Sequence, residues 1–240
     1  MKTAIENPVI SRVWAALGTV VDPELDQPIT ELGFVADLTT VPETADGFQA
    51  HVRLRLPTYF CAPNFAYLMV ADAHDAIAQV PGIASVRVEL EDHFAAEEIN
   101  AGVAADTGFT GSFPGQATDE LAELRLTFRR KAHLACLERA CQRLISEGWQ
   151  VDALADGHLG DLPESPERDS LLRRRAELGL RTDLDAPLFV DDDEAQVPRE
   201  QLAERLRFAK AVRVSIDGNA GLCRGLLKTR NERLAQEGRA

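Results

Sequence analysis

"GFQAHVRLRLPTYFCAPNF", residues 47–65, contains the pattern that decides the fold. Its first part alternates between apolar and polar side chains, which predicts a strand with one face in a core and the other in water. The apolar residues are Phe48, Ala50, Val52, Leu54 and Leu56, separated by Gln49, His51, Arg53 and Arg55. A helix is expected after Cys61, because Pro63 suits an early helical position.

The segments on either side of this strand predict a small domain of helices and strands. Before it, the pattern predicts a helix from Asn7-Pro8 to Val21, a strand at 34–41 and a hairpin turn at Asp46-Gly47. After it, the pattern predicts a helix at 65–80 and an alternating strand at 83–91. The expected class is α/β (α+β), a two-layer sandwich of a small mixed sheet with helices. We place this domain at residues 1–105.

The remainder of the chain has a different residue pattern, which predicts mainly helices. "ELRLTFR", residues 123–129, alternates and predicts a short strand, followed by a helix from about Lys131 to Glu147, so residues 106–148 form a strand-helix addition. Residues 149–240 contain arginine-rich amphipathic segments bounded by Pro and Gly. We expect a mainly helical extension without an independent core, used for partner binding or dimerisation. "VRVSID", residues 212–217, is a further strand candidate.

Composition argues against two classes of partner. The formal net charge is −13, from 39 acidic and 26 basic residues, and this negative field repels nucleic acid and anionic membrane surfaces. The N-terminal segment has Glu6 and Pro8 where a signal peptide needs an unbroken apolar run, so a cytoplasmic location is expected. The four cysteines show no CxxC pair and are expected to be free thiols.

The position of Cys61 in the sequence allows two interpretations. A thiol beside a helix N-terminus feels the positive end of the helix dipole, which lowers its pKa and favours the reactive thiolate. A free cysteine is also among the residues most often buried, where it acts as a small hydrophobe. Position does not separate a ligand from a core residue.

A second stretch bears on this choice. "VDPELDQPITELGFVADL", residues 21–38, carries Asp22-Pro23-Glu24 and then Leu32-Gly33-Phe34-Val35. Thr58 to Cys61 and the strand Val86-Arg87-Val88 follow in order. This pattern resembles the iron-sulfur cluster assembly domain family, with its SufT-like and PaaD-like branches, over about residues 8–100. Two features depart from the family: Ala62 separates Cys61 from the proline that usually follows directly, and the cysteine-rich tail of the PaaD-like branch is absent.

The resemblance implies a metal or cofactor site formed by Cys61, Asp22 and Glu24. The two carboxylates supply hard oxygen donors and the thiolate a soft one, a set that suits transient capture of iron or of a cluster edge. A stable cluster normally needs four thiolates, so labile iron or a labile iron-sulfur cluster, shared across a homodimer, is expected. A cap for the loop remains the alternative role of Asp22.

The implied function is a non-enzymatic assembly or delivery factor. Its expected partners are iron-sulfur scaffold proteins and a client metalloprotein, with a bacterial multicomponent oxygenase as the candidate client. Two other hypotheses remain. One is a metal-free chaperone or interaction subunit of an oxygenase system. The other is a thiol enzyme, for which neither His51 nor His74 is an evident base. Cys136 and Cys141 lie five apart on a predicted helix and cannot clamp one metal; Cys141 is expected in the core.

Overall fold

The computed structural model describes residues 8–44, 47–117, 121–191 and 194–237. The chain divides into two compact units. The first comprises Met1–Ala122 together with Asn219–Ala240, and the second comprises Glu123–Gly218. The last residues of the chain therefore belong to the unit formed by its N-terminal half.

The first unit contains the predicted helices and strands in the predicted order. Its elements in chain order are α1 Pro8–Leu17, β1 Val21–Asp22, β2 Gln27–Pro28, β3 Val35–Thr44, β4 Gly47–Leu54, α2 Pro63–Ala78, β5 Ile83–Leu90, α3 Ala96–Ala104 and α4 Gly108–Ser112. The two-residue strands β1 and β2 were not predicted. Helix α1 begins at Pro8, as predicted; Asn7 and Asp46 lie outside the described residues. The short helix α4 lies where the sequence indicated only a loop.

The sheet has the strand order β3-β4-β5 and is mixed. Strand β4 pairs antiparallel with β3 and parallel with β5. A parallel connection needs a crossover, which α2 supplies between β4 and β5. This arrangement confirms the predicted class of a small mixed sheet with helices.

The alternation in residues 48–56 sets which face of β4 enters the core. Ala50, Val52 and Leu54 are buried, while Arg53 between them is exposed. The buried faces of α1 and α2 add to the same core through residues such as Leu17 and Ile77, both with 0% exposure. Burial of each large apolar side chain contributes roughly 1.5–3 kcal/mol, so this shared core stabilises the sheet and both helices together.

Two strand predictions in the rest of the chain are wrong. Residues 123–129 lie in helix α5, Ala122–Ser146, and residues 212–217 lie in helix α7, Arg199–Glu237. Three alternating apolar residues are too few to separate a strand from a helix, and the helical context decides. In α7 the buried residues recur at helical spacing, as Leu202, Ala209, Ile216, Ala220 and Leu227.

The extension shares a second core with helix α5. The second unit contains most of α5, helix α6 Pro166–Leu178, two 3₁₀ turns at Val151–Asp156 and Leu159–Asp161, and the first part of α7. Its core includes Cys141, as predicted, with Leu144, Leu154 and Leu171, all at 0% exposure. Each segment has only a narrow apolar face, but the apolar faces of several segments pack together into one core.

Buried charges in the second unit are paired or hydrogen-bonded. The Arg175 guanidinium is fully buried and donates to the carbonyl oxygens of Pro187 and Leu188, both at 2.8 Å. Glu138 is 1% exposed and lies 2.5 Å from Arg213 Nε. Such pairing offsets the cost of removing an ion from water.

Candidate functional site

Cys61 lies in the loop between β4 and α2, directly before the helix. Ala62 has the extended backbone of an N-cap residue and Pro63 is the first helical residue, so the thiol stands at the helix N-terminus as predicted. Cys61 is half-buried, and its Sγ lies 3.2 Å from Thr58 Oγ1. This contact and the short loop before the helix fix where the sulfur lies.

His93 fixes the backbone of the cysteine loop. Its Nδ1 accepts the Ala95 amide at 3.2 Å, so Nε2 carries the proton and donates to the Cys61 carbonyl oxygen at 2.7 Å. Burial lowers the pKa of His93, and nearby Arg230 lowers it further, which keeps the ring neutral. Local sequence patterns carry no signal for this contact, because His93 and Cys61 lie 32 residues apart along the chain.

Asp22 holds the loop that contains Asp22-Pro23-Glu24. Its Oδ1 accepts the backbone amides of Glu24 and Leu25, each at 2.9 Å. The carboxyl is 6% exposed, and burial raises its pKa to about 6 although both amide hydrogen bonds act in the opposite direction. These are the contacts expected of a loop cap, the alternative role that the sequence left open.

Glu24 is half-buried and contacts helix α7. Its Oε1 accepts from Asn219 Nδ2 at 3.4 Å. The structure therefore brings the signature loop against the C-terminal helix. Within the described ranges, no group of three His, Cys, Asp or Glu side chains lies close enough together to hold one metal ion. Whether Cys61, Asp22 and Glu24 share a ligand therefore stays a prediction.

A cleft of about 530 Å³ borders the cysteine loop. Its lining comes from the loop and from α7: Pro57, Thr58, Tyr59, Phe60, Asp92, Leu226, Thr229, Arg230, Arg233 and Leu234. Phe60 is 74% exposed at its rim, and Tyr59 lies with its ring centroid 6.3 Å from that of Phe94. Exposed aromatic side chains therefore lie beside Cys61 in this loop.

Comparison with known families assigns this part of the chain. Residues 10–90 match the family model described as iron-sulfur cluster assembly protein. This segment is an iron-sulfur cluster assembly domain. The assembly domain contains the signature loop, Cys61 and the whole β3-β4-β5 sheet, whereas His93 and α7 lie outside it.

The curated relatives carry a related name. Iron-sulfur cluster carrier proteins of Mycobacterium bovis and of Mycobacterium tuberculosis are each 40% identical over 76 residues. The match covers 32% of this chain and only 18% of each relative's length. No solved structure matches the chain.

The structure adds Cys223 to the surroundings of the assembly domain. This residue is half-buried on α7, and burial raises the pKa of its thiol to about 11, with further raising by the negative charges of Asp22, Cys61 and Glu24. The spacing of Asn219, Cys223 and Leu227 at every fourth position was the available signal. This spacing places the three residues on one face only if the segment is a helix, whereas the pattern of the preceding residues 212–217 predicts a strand.

The histidines considered as bases have other partners. His51 Nε2 lies 2.6 Å from Glu89 Oε2, and His74 Nδ1 lies 3.4 Å from Asp75. His93 faces the carbonyl of Cys61 and not its sulfur. None of these contacts provides the nucleophile-base hydrogen bond of a thiol enzyme. In the described part of the chain, no helix is both long and apolar enough to cross a membrane.

Proposed function

We propose that the chain is a non-enzymatic factor that takes up iron or an iron-sulfur cluster and delivers it to client metalloproteins, with Cys61 as the donor. The observation that carries the proposal is a half-exposed thiol, hydrogen-bonded to Thr58 at a helix N-terminus, inside an iron-sulfur cluster assembly domain. The name of the relatives, iron-sulfur cluster carrier protein, supports the same role.

The chemistry of the donor suits transient rather than permanent binding. A cluster held for electron transfer is normally enclosed by four thiolates. Cys61 supplies one, and its loop leaves the sulfur partly accessible. Fewer protein ligands leave iron positions open for a donor or acceptor protein. A homodimer that shares the cluster would double the number of thiolates without closing the site.

The proposed partners follow from this role. A scaffold protein would load the site, and a client metalloprotein would receive the cargo; a bacterial multicomponent oxygenase is the client that we propose first. The protein would work in the cytoplasm, where thiols remain reduced. The exposed Phe60 and Tyr59 beside Cys61 support a protein-binding surface at the point of transfer.

Those same aromatic residues favour a second candidate, a chaperone that binds the client without metal. In that case Cys61 would be a structural residue. The two candidates differ in what Cys61→Ser does, because a chaperone needs the surface but not the sulfur.

Anaerobic reconstitution with ferrous iron and sulfide tests the proposal. We expect the wild-type chain to acquire the visible absorption of an iron-sulfur cluster and to pass it to an apo-ferredoxin. Cys61→Ser should fold normally but lose at least about tenfold in loading, because oxygen is a harder ligand than sulfur. Cys136→Ala, which removes a buried thiol of the second unit, is the matched control and should load as wild type.

Equal loading of wild type and Cys61→Ser would overturn the assignment of the donor. Normal maturation of the client with Cys61→Ser, measured as enzyme activity after incubation, would favour the chaperone. Iron content per chain by chemical assay, combined with mass by light scattering, shows whether one cluster is shared by two chains.

A further inference from the structure

The last part of α7 lies along the functional loops of the assembly domain. Asn219 contacts Glu24, and Arg224 hydrogen-bonds to the Gln27 side chain. Further along, a Cβ at Gly33 would lie 3.7 Å from Leu227 Cδ2, and Arg230 Nη1 donates to the Leu56 carbonyl oxygen at 2.6 Å. One face of the helix thus follows the signature loop and reaches the start of the cysteine loop.

Cys223 occupies the middle of that face. It lies one turn after Asn219 and one turn before Leu227, and residues four apart on a helix share a face. Its side chain packs against the same hydrophobic core as Cys61, and both thiols are half-buried and free of disulfide bonds. Asp22, Glu24 and Cys61 all act electrostatically on Cys223. The face of α7 that carries Cys223 therefore lies against the signature loop, and Cys61 borders the same core.

We propose that Cys223 is the second thiol donor to the iron or iron-sulfur cargo of Cys61. The proposal rests on the function proposed above and extends it to a residue outside the matched domain. On binding, each thiol forms an iron-sulfur bond and releases its proton to solvent, with no change of oxidation state.

Two thiolates from one chain match the needs of delivery. They amount to half of the usual four, so the cargo is held at two points and stays open to ligands of the acceptor. The two donors stand on different elements: His93 fixes the backbone of the Cys61 loop, and Arg230 joins α7 to the start of that loop. A cluster, which is larger than a single ion, offers separate iron atoms to the two thiols.

The test loads the full-length protein anaerobically with ferrous iron and sulfide. We expect Cys223→Ser to lose at least about tenfold in retained iron, since removing even an outer-shell partner costs about 10- to 100-fold in metal affinity. Leu222→Ser, an adjacent exposed substitution on the same helix, is the control and should retain iron as wild type.

A footprint on the wild-type chain gives an independent readout. Loaded and unloaded protein are treated with an alkylating reagent, and modification of each cysteine is measured by mass spectrometry. We expect loading to slow the alkylation of both Cys61 and Cys223. One outcome overturns this proposal and leaves the proposed function intact. In it, Cys61→Ser abolishes loading, Cys223→Ser loads as wild type, and loading does not change the rate at which Cys223 is alkylated. If the wild-type chain takes up no cluster, both the proposed function and this proposal are overturned.

Discussion

Arg230 Nη1 lies 2.6 Å from the carbonyl oxygen of Leu56, a residue 174 positions earlier in the chain. The same guanidinium forms an ion pair with Asp92 at 2.5 Å and is only 14% exposed. Leu56 begins the loop that carries Cys61, and Asp92 precedes His93. A residue of the C-terminal helix therefore fixes both segments that position the candidate donor.

Replacing Arg230 by Ala should destabilise the first unit. A hydrogen bond to a charged group contributes about 1.5–3 kcal/mol, so we expect a loss of about 2 kcal/mol in the free energy of unfolding. The measurement is urea unfolding followed by Trp14 fluorescence in a Trp149→Phe background, because the chain has two tryptophans. Lys228→Ala is the control: this side chain is 79% exposed, and its loss should cost less than about 0.5 kcal/mol. Equal stability of the two variants would contradict the role of Arg230.

The part of helix α7 that follows Gly218 should belong to the core of the first unit and not to a separable extension. Leu227 is 3% exposed and packs into that core, whereas its neighbour Leu226 is 41% exposed. We expect Leu227→Ala to cost about 3 kcal/mol and Leu226→Ala less than about 0.5 kcal/mol, measured by the same Trp14 signal.

A chain shortened to end at Gly148 extends this prediction. It would lack Ala220 and Leu227 and expose the surface that they cover, so it should unfold at lower urea concentration than the full chain. The sequence predicted that residues 149–240 serve partner binding or dimerisation, a role that leaves the core of the N-terminal domain complete without them. A shortened chain as stable as the full one would restore that view.

The two roles considered for Asp22 predict different results. Because Oδ1 accepts two backbone amides, Asp22→Asn retains an acceptor in the same place and should keep both the fold and cluster loading. Asp22→Ala removes the acceptor and should cost about 1–2 kcal/mol. Urea unfolding and iron content are measured on both variants. Normal stability of Asp22→Asn with lost iron would instead identify Asp22 as a ligand.

The assembly domain was predictable because its signals are local. Strand β4 carries its alternation within eight residues, and α2 follows from Pro63 and a run of apolar residues at helical spacing. The helix-start position of Cys61 follows from the same stretch. Each of these features depends on neighbours in sequence, which is the information that periodicity contains.

The contacts made by α7 were not predictable in this way. Cys223 and Arg230 meet their partners only after the chain has passed through the second unit. The β-branched residues Val212, Val214 and Ile216 favour a strand locally, but the regular burial of residues along α7 overrides that propensity. Long-range packing decides both the secondary structure there and the surroundings of the candidate site.

His133 should make the second unit sensitive to acid. The side chain is 7% exposed, its Nε2 has no hydrogen-bond partner among the described residues, and burial, with the charge of Arg175, lowers its pKa from 6.5 to about 4. The folded state keeps the ring neutral while the unfolded chain binds a proton below about pH 6.5. Stability should therefore be lost as the pH falls from 6.5 to 4, by roughly 3 kcal/mol in total.

Urea unfolding at several pH values, followed by Trp149 fluorescence in a Trp14→Phe background, measures this slope. His133→Leu removes the titrating group and should flatten the dependence between pH 6.5 and 4, because the unfolded state then gains no proton at this position. His158→Leu is the control, since His158 is exposed in the same unit and should leave the slope unchanged. A slope that persists in His133→Leu would show that other groups carry the acid sensitivity.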